Sequence, residues 1–259
     1  MNSLDIKRRL GYYWPARQQN RKIILLYHSV GDTTWAMSEY DFSIQMDWLA
    51  DHCKILSLTD LIHSEPSEDL QVAITFDDGY RTLHHYVAPI LVKKNMSGMV
   101  YLNTGWISDT DNQRKLSVPE LGHYPDESFL TWQEVKELHQ MSWEIGSHGA
   151  NHYDFSKLSE DMVKQELSQS KHDIEDNLKI PCTHFSYPWG KYSAYTKKIV
   201  KQVGYQYAVA ARHNKISINS DWLALPRMNI SRDYSFNDFK NIVKGKWDYL
   251  GILHQLKGL

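Results

Sequence analysis

Ala73-Ile-Thr-Phe-Asp-Asp-Gly-Tyr80 begins as a buried strand and ends in a pair of carboxylates. Leu70, Val72, Ile74 and Phe76 alternate with Gln71, Ala73 and Thr75, the period of a strand with most of its surface covered. The last apolar residue is followed at once by two acids and a glycine, so the strand delivers Asp77 and Asp78 to the rim of a sheet. Adjacent carboxylates repel unless a cation sits between them or one is protonated, which points to a metal, a general base, or both. A solvated Asp-Gly turn is the competing explanation for these letters taken alone.

Seventy residues on, Trp143-Glu-Ile-Gly-Ser-His148-Gly-Ala-Asn-His152 is a second short apolar strand, running into histidines at i and i+4. Neutral imidazoles are common ligands of borderline divalent ions, and one carboxylate with two histidines leaves positions open for water and substrate. A chain with 13 histidines can hold one such spacing by chance. The two strand-end clusters together are far more specific than either alone.

Strand and helix signals alternate around these clusters. Lys22-Ile-Ile-Leu-Leu-Tyr-His-Ser-Val30 is a continuous apolar run, suited to a strand covered on both faces, and it ends near His28. Phe42, Ile44, Met46, Trp48 and Leu49 indicate a helix, and a short strand is expected over 55–58. Residues 87–94 read as helical with Pro89 in the first turn, where a missing N–H costs little. A strand over 97–103 ends near Trp106, and 108–129 has no period and reads as a loop insertion of the kind that shapes a groove. Thr131-Trp-Gln-Glu134 is a capping box opening a helix to 141. Ser159 caps a longer helix in which Met162, Leu167, Ile174 and Leu178 share a face. Strands over 183–187, 206–210 and 223–229 follow, with a helix ending near Gly204 and a last helix opened by Ser235-Phe-Asn-Asp238. This order argues for parallel strands with crossover helices, and functional residues at several strand ends suit a (β/α) barrel with its site on one rim. Seven or eight strands fit.

Composition narrows the classes. With 42% apolar residues the chain can bury a large core, and 29 basic against 31 acidic side chains leave no nucleic-acid footprint. Nine tryptophans and 16 tyrosines offer flat faces for sugar rings, with core packing as the alternative. Cys53 and Cys182 are too few for a disulfide framework and lack C-x-x-C spacing, so free thiols are expected. Residues 1–21 form an N-terminal arm ahead of a single barrel domain over 22–259. The arm mixes Lys7, Arg8, Arg9, Arg17 and Arg21 with Tyr12, Tyr13 and Trp14, a composition for either a peripheral membrane contact or plain packing. No apolar leader and no membrane-length run is present, so a cytoplasmic location, with or without membrane association, is expected.

Thr75-Phe-Asp-Asp-Gly79, His148-x3-His152 and Phe185-Ser-Tyr-Pro-Trp-Gly190, in that order, resemble the first three motifs of the polysaccharide deacetylases of carbohydrate esterase family 4, the NodB-homology family. With Tyr27-His28 early and Leu225-Pro-Arg227 late, the pattern over residues 22–230 is similar to the poly-N-acetylglucosamine deacetylase branch typified by PgaB and IcaB. The resemblance implies a single distorted (β/α)7-type, TIM-like α/β barrel, circularly permuted so that the strand with the general acid comes first. It implies Asp78, His148 and His152 as metal ligands, Asp77 as the base, His28 as the acid, and the Trp189 N–H as an oxyanion donor. His254, in an unremarkable tail, is the acid if the barrel is not permuted. By ligand type the divalent metal is zinc, with nickel, cobalt or iron also suited. Trp189, Tyr187, Tyr192 and Trp106 are the aromatic candidates for sugar contact.

Two departures accompany the resemblance. Where many members carry an arginine before the motif-three proline, this chain has Ser186, and Arg227 is the candidate to orient the base instead. Gly149 stands where a serine or threonine is usual. The implied activity is metal-dependent removal of the N-acetyl group from a GlcNAc-type unit of a bacterial surface polysaccharide or its cytosolic or inner-leaflet precursor. A deformylase with the same machinery and a catalytically silent glycan-binding module are the rivals.

Overall fold

A computed structural model describes residues 3–16 and 19–256, with side chains through 253. Arg17 and the side chain of His254 therefore lie outside the described residues. Helix α1 (Ser3–Tyr13) precedes strand β1 (Lys22–Tyr27), α2 (Glu39–His52), β2 (Lys54–Ile55), α3 (Leu58–His63) and β3 (Gln71–Phe76). A π turn over Leu83–Val87 leads into α4 (Ala88–Val92), then β4 (Met99–Leu102), α5 (Trp132–Gln140), β5 (Glu144–Ser147) and α6 (Glu160–Leu178). The chain ends with β6 (His184–Ser186), α7 (Ala194–Val203), β7 (Tyr207–Val209), β8 (Met228–Asn229), α8 (Phe236–Val243) and α9 (Tyr249–Leu256).

Every strand pairing is parallel, in the order β7-β6-β5-β4-β3-β1-β8, with β2 added on β3. The expected α/β barrel is thus observed, as a curled sheet whose continuous path has seven strands, with β2 as an eighth beside it. The segment 222–229 draws its two edges together: Leu225 bonds β7 through Ala208 and Ala210, while Met228 and Asn229 pair with β1. The strand bearing His28 at its end is first in the chain and lies beside β3.

Both faces of the central strands are covered, which is why β1 and β3 are near-continuous apolar runs. Ile23, Leu25, Tyr27, Val72, Ile74 and Phe76 point to the helices and join the main core. The opposite parity, Ile24, Ala73, Met99, Tyr101 and Val209, fills the interior of the curl together with Leu58 and Leu61 of α3. Glu144 accepts the Leu58 and Thr59 N–H groups at the start of α3 and fastens that helix to β5. The period of two then carries Leu26-x-His28, Ala73-x-Thr75-x-Asp77 and His184-x-Ser186 inward, one ring above another.

The capping box at Thr131 forms as expected, and Ser235 opens α8 with a capping box of its own, although α8 is not the last helix because α9 follows. Two further expectations are corrected. The strand over 55–58 stops at Ile55, because Ser57 caps α3. On α6, Val163, Leu167, Ser170 and Ile174 are buried while Met162 is 46% exposed, so the apolar face is rotated by one residue at its start. Of the two readings of the N-terminal arm, packing has contacts to support it: α1 packs on α8 through the Arg8–Asp238 pair, and Arg21 is buried.

Candidate metal and catalytic site

β3 ends at Phe76, and the amide N–H of the next residue, Asp77, still bonds the Tyr27 carbonyl of β1. Asp78 then takes φ 73 and Gly79 φ 78. A left-handed backbone at a non-glycine residue is costly, and here it breaks the strand alternation so that two consecutive carboxylates line one cavity. The same device recurs at the other two clusters, with positive φ at Gly149 and His152 and at Trp189 and Gly190. Gly149, the departure noted in the sequence, has φ 82, a conformation that serine and threonine rarely adopt.

Asp78, His148 and His152 present donor atoms that all lie within 4.8 Å of one another, and all three residues are buried. Nε2 of His148 is 3.6 Å and Nε2 of His152 is 3.4 Å from Oδ1 of Asp78. Each Nδ1 is turned away onto a backbone carbonyl, His148 to Ser186 at 2.8 Å and His152 to Leu121 at 2.7 Å. Such outer bonds place the proton on Nδ1 and leave the Nε2 lone pair free to ligate, the arrangement found around protein-bound metals. Burial pushes the His148 imidazolium pKa down to about 4, against the pull of Asp77, so the ring is neutral near pH 7. For Asp78, burial favours the protonated form, but His152, His28 and His148 outweigh it and lower its pKa. The donor set fits a borderline divalent cation.

Asp77 points to the same cavity with a different partner. Arg227, 1% exposed, holds it with two parallel bonds, Nη1 to Oδ1 at 2.7 Å and Nη2 to Oδ2 at 2.6 Å. Nη2 also donates to Ser186 Oγ at 2.9 Å, and that hydroxyl donates to Asp77 Oδ2 at 3.2 Å. The serine that replaces the expected motif arginine therefore leaves room for a guanidinium arriving from another strand. Burial would raise the Asp77 pKa, but the Arg227 charge, with His148 and His28 behind it, holds it well below the usual carboxylate range.

The cavity, about 250 Å3, is also lined by His28, Tyr124, Gly122, Trp189, Ala211 and Asn229. His28 stacks on Tyr124 at 5.4 Å, and Trp189 stacks on His152 at 5.4 Å and is 49% exposed. A Cβ at Gly122 would lie 2.1 Å from the indole of Trp189, so glycine is needed for the 108–129 loop to close over the site.

Three of the aromatic candidates lie elsewhere. Tyr187 is fully buried and donates its hydroxyl to the Leu223 carbonyl: with Ser186 facing inward, its neighbour must face the helices. Tyr192 stacks on Tyr187 at 4.6 Å and lines a different cavity. Trp106 packs on His123 and Phe129 beneath the loop. The lining residues not singled out from sequence, Gly122, Tyr124, Ala211 and Asn229, come from a region without period, from just past β7 and from a two-residue strand; Gly122 and Tyr124 carried a signal only as turn-former and aromatic in a loop at the expected rim.

A family model described as polysaccharide deacetylase matches residues 64–208, more than half of the chain. Over 234 residues the chain is 27% identical to YxkH of Bacillus subtilis (strain 168), a protein itself only provisionally named a polysaccharide deacetylase, covering 87% of this chain and 77% of that one. It is 24% identical over 227 residues to the poly-beta-1,6-N-acetyl-D-glucosamine N-deacetylase of Staphylococcus aureus (strain MRSA252), covering 83% of this chain and 72% of the relative. Among solved structures, the Streptococcus pyogenes deacetylase PplD in complex with acetate superposes with a TM-score of 0.72 at 22% identity, over 87% of this chain and 99% of that one. The match of the family model takes in the DDG strand, the histidine strand and the motif-three turn that build this cavity, and with it the chain belongs to the polysaccharide deacetylase family.

Proposed function

We propose that the protein is a metal-dependent hydrolase that removes the N-acetyl group from a GlcNAc-type unit of a bacterial surface polysaccharide or its precursor, releasing acetate. The observation that carries this reading is the convergence of two different carboxylates on one cavity, Asp78 beside two imidazoles whose lone pairs are free and Asp77 locked by Arg227. In the reading, Asp78, His148 and His152 hold the cation, zinc by ligand type. A divalent ion held there would supply Lewis acidity and would lower the pKa of a water towards about 7.

The remaining roles fall to the chain's own residues. Asp77 accepts the water proton; Arg227 and Ser186 fix both of its oxygens and keep it ionised, at some cost in basicity. His28, held by its stack on Tyr124, faces the cavity from the neighbouring strand and protonates the departing amine. The Trp189 N–H donates to the developing oxyanion, and its half-exposed indole gives the sugar a flat face. Cytosolic or inner-leaflet precursors belong to the same proposal, as does contact of α1 with a membrane, since Ile6, Leu10, Tyr12 and Tyr13 are exposed on it. Among the described residues no helix is long and apolar enough to cross a membrane.

The test is acetate release from a panel of N-acetylated polymers and nucleotide- or lipid-linked sugars by metal-reconstituted protein, beside Asp77→Asn, with co-sedimentation on anionic liposomes as the membrane arm. Metal-dependent turnover that disappears in the variant supports the reading. Release of formate from formamido sugars, without acetate, would replace it with a deformylase. Metal-loaded protein that binds a glycan but releases neither acid would leave a binding module.

A further inference from the structure

A second cavity, about 550 Å3, shares a wall with the site. Gly190 and Ala211 face the site, while Tyr192, Arg212 and Pro226 face the second cavity. The wall is a single stretch of backbone at this point: Ala211 lines the site and its neighbour Arg212 the second cavity, and the Arg212 carbonyl accepts the Arg227 N–H at 3.0 Å. Substrate crossing this wall passes from the Asp77–Asp78 pair into surroundings of opposite charge.

The lining carries Lys197, Arg212 and Lys215 against a single carboxylate, Asp221. Lys197 is paired with Asp221, and among the described residues no carboxylate lies within ion-pair distance of Arg212 or Lys215. Two uncompensated cations in one hollow stand out in a chain of formal net charge -2. Ser217 and Ser220, their hydroxyls 3.4 Å apart, add neutral donors. Among the described residues Tyr192 offers the only aromatic ring in the lining. A fork-shaped guanidinium, an ammonium and hydroxyls are the donor set that phosphate oxygens take, and the carboxylates next door would repel the same group.

We infer that this cavity is an anion subsite that takes a phosphate ester of the substrate, with the sugar bearing the N-acetyl group across the wall at Asp78. The class is thus a phosphorylated glycan unit, either a sugar diphosphate of the nucleotide- or lipid-linked kind or a phosphomonoester. The link to chemistry rests on the deacetylase reading above; the binding does not.

The test is calorimetric titration of metal-reconstituted wild type and Arg212→Gln/Lys215→Gln with UDP-N-acetylglucosamine, N-acetylglucosamine 1-phosphate and a neutral N-acetylglucosamine trimer, followed by kinetics on whichever is hydrolysed. Expected is binding of a phosphorylated ligand weakened about tenfold or more in the double variant, the gap closing in about 0.5 M salt, with neutral trimer unaffected. A stronger loss for the diphosphate than the monophosphate assigns the linked-sugar source, and an equal loss assigns the monoester. Equal affinity of wild type and variant for both phosphorylated ligands overturns the subsite even if neutral glycans are deacetylated. Loss of phosphate binding in the variant without acetate release from any substrate leaves the subsite standing and counts against the deacetylase reading.

Discussion

Two buried arginines, at opposite ends of β1's neighbourhood, make nearly the same ion pair and different sites. Arg21, just before β1, holds Asp248 with bonds of 2.6 and 2.7 Å, and Arg227, just before β8, holds Asp77 with bonds of 2.7 and 2.6 Å. Both arginines are 1% exposed. The spare donors separate them. Those of Arg21 go to the Val243 and Ile242 carbonyls at the end of α8, which leaves a closed structural clamp on a helix C-terminus. Those of Arg227 go to the Ala210 carbonyl and to Ser186 and Thr75, side chains of the strands that build the cavity, and the carboxylate it holds is followed by another without an arginine. A buried Arg–carboxylate pair is therefore not by itself the mark of a reaction centre; an adjacent, uncompensated charge on a cavity is.

The largest expected contrast comes from the metal. Chelation should abolish turnover and readdition should restore it, while circular dichroism stays native and the Arg21 clamp is untouched; retained turnover in metal-free protein would remove the distinction between the two ends. Next, Asp77→Asn should lower kcat by about 10^3. Its urea midpoint should shift less than that of Asp248→Asn, because losing the Arg227 pair is offset by relief of repulsion with Asp78. Asp248→Asn should leave kcat near wild type.

Lysine at either arginine keeps the charge and loses the fork. Arg227→Lys should cost about 10–100-fold in kcat by misaligning Asp77. Arg21→Lys should cost about 1–3 kcal/mol of stability, read by urea denaturation, with kcat retained. A kinetic loss at Arg21 equal to that at Arg227 would refute the comparison.

His184 shows the case of an ionisable group with no counter-charge. It lies on β6 two residues before Ser186, and burial, helped by His63, pushes its pKa down to about 4. The unfolded chain then binds a proton between pH 6.5 and about 4 that the folded chain does not, so stability is full above 6.5 and falls with pH through that window. The contribution is at most about 3 kcal/mol, and His184→Gln should flatten the acid limb of the urea midpoint against pH.

What was legible in the sequence was local. Asp77 with Asp78, and His148 with His152, each lie within five residues at the end of an apolar run, and a strand that stops on acids or histidines must present them at a rim. The alternation of strands and helices likewise suffices for a parallel α/β barrel, because parallel strands require crossovers. Arg227 was reached only through the resemblance, since nothing around Leu225-Pro-Arg227 says that its partner lies 150 residues earlier. Tyr187 and Trp106 were misplaced because aromatic character does not say which face a residue occupies; Tyr187 points outward once Ser186 is fixed inward by Asp77. Gly122 and Tyr124 sit in an aperiodic loop whose path is set by the barrel beneath it. The sequence alone thus determined the elements and the two strand-end clusters, because periodicity and capping act over a few residues. Which carboxylate meets an arginine and which meets imidazoles was implied only by the resemblance, and its physical basis lies in the tertiary structure, because buried charges are apportioned by distances across the sheet that no local pattern encodes.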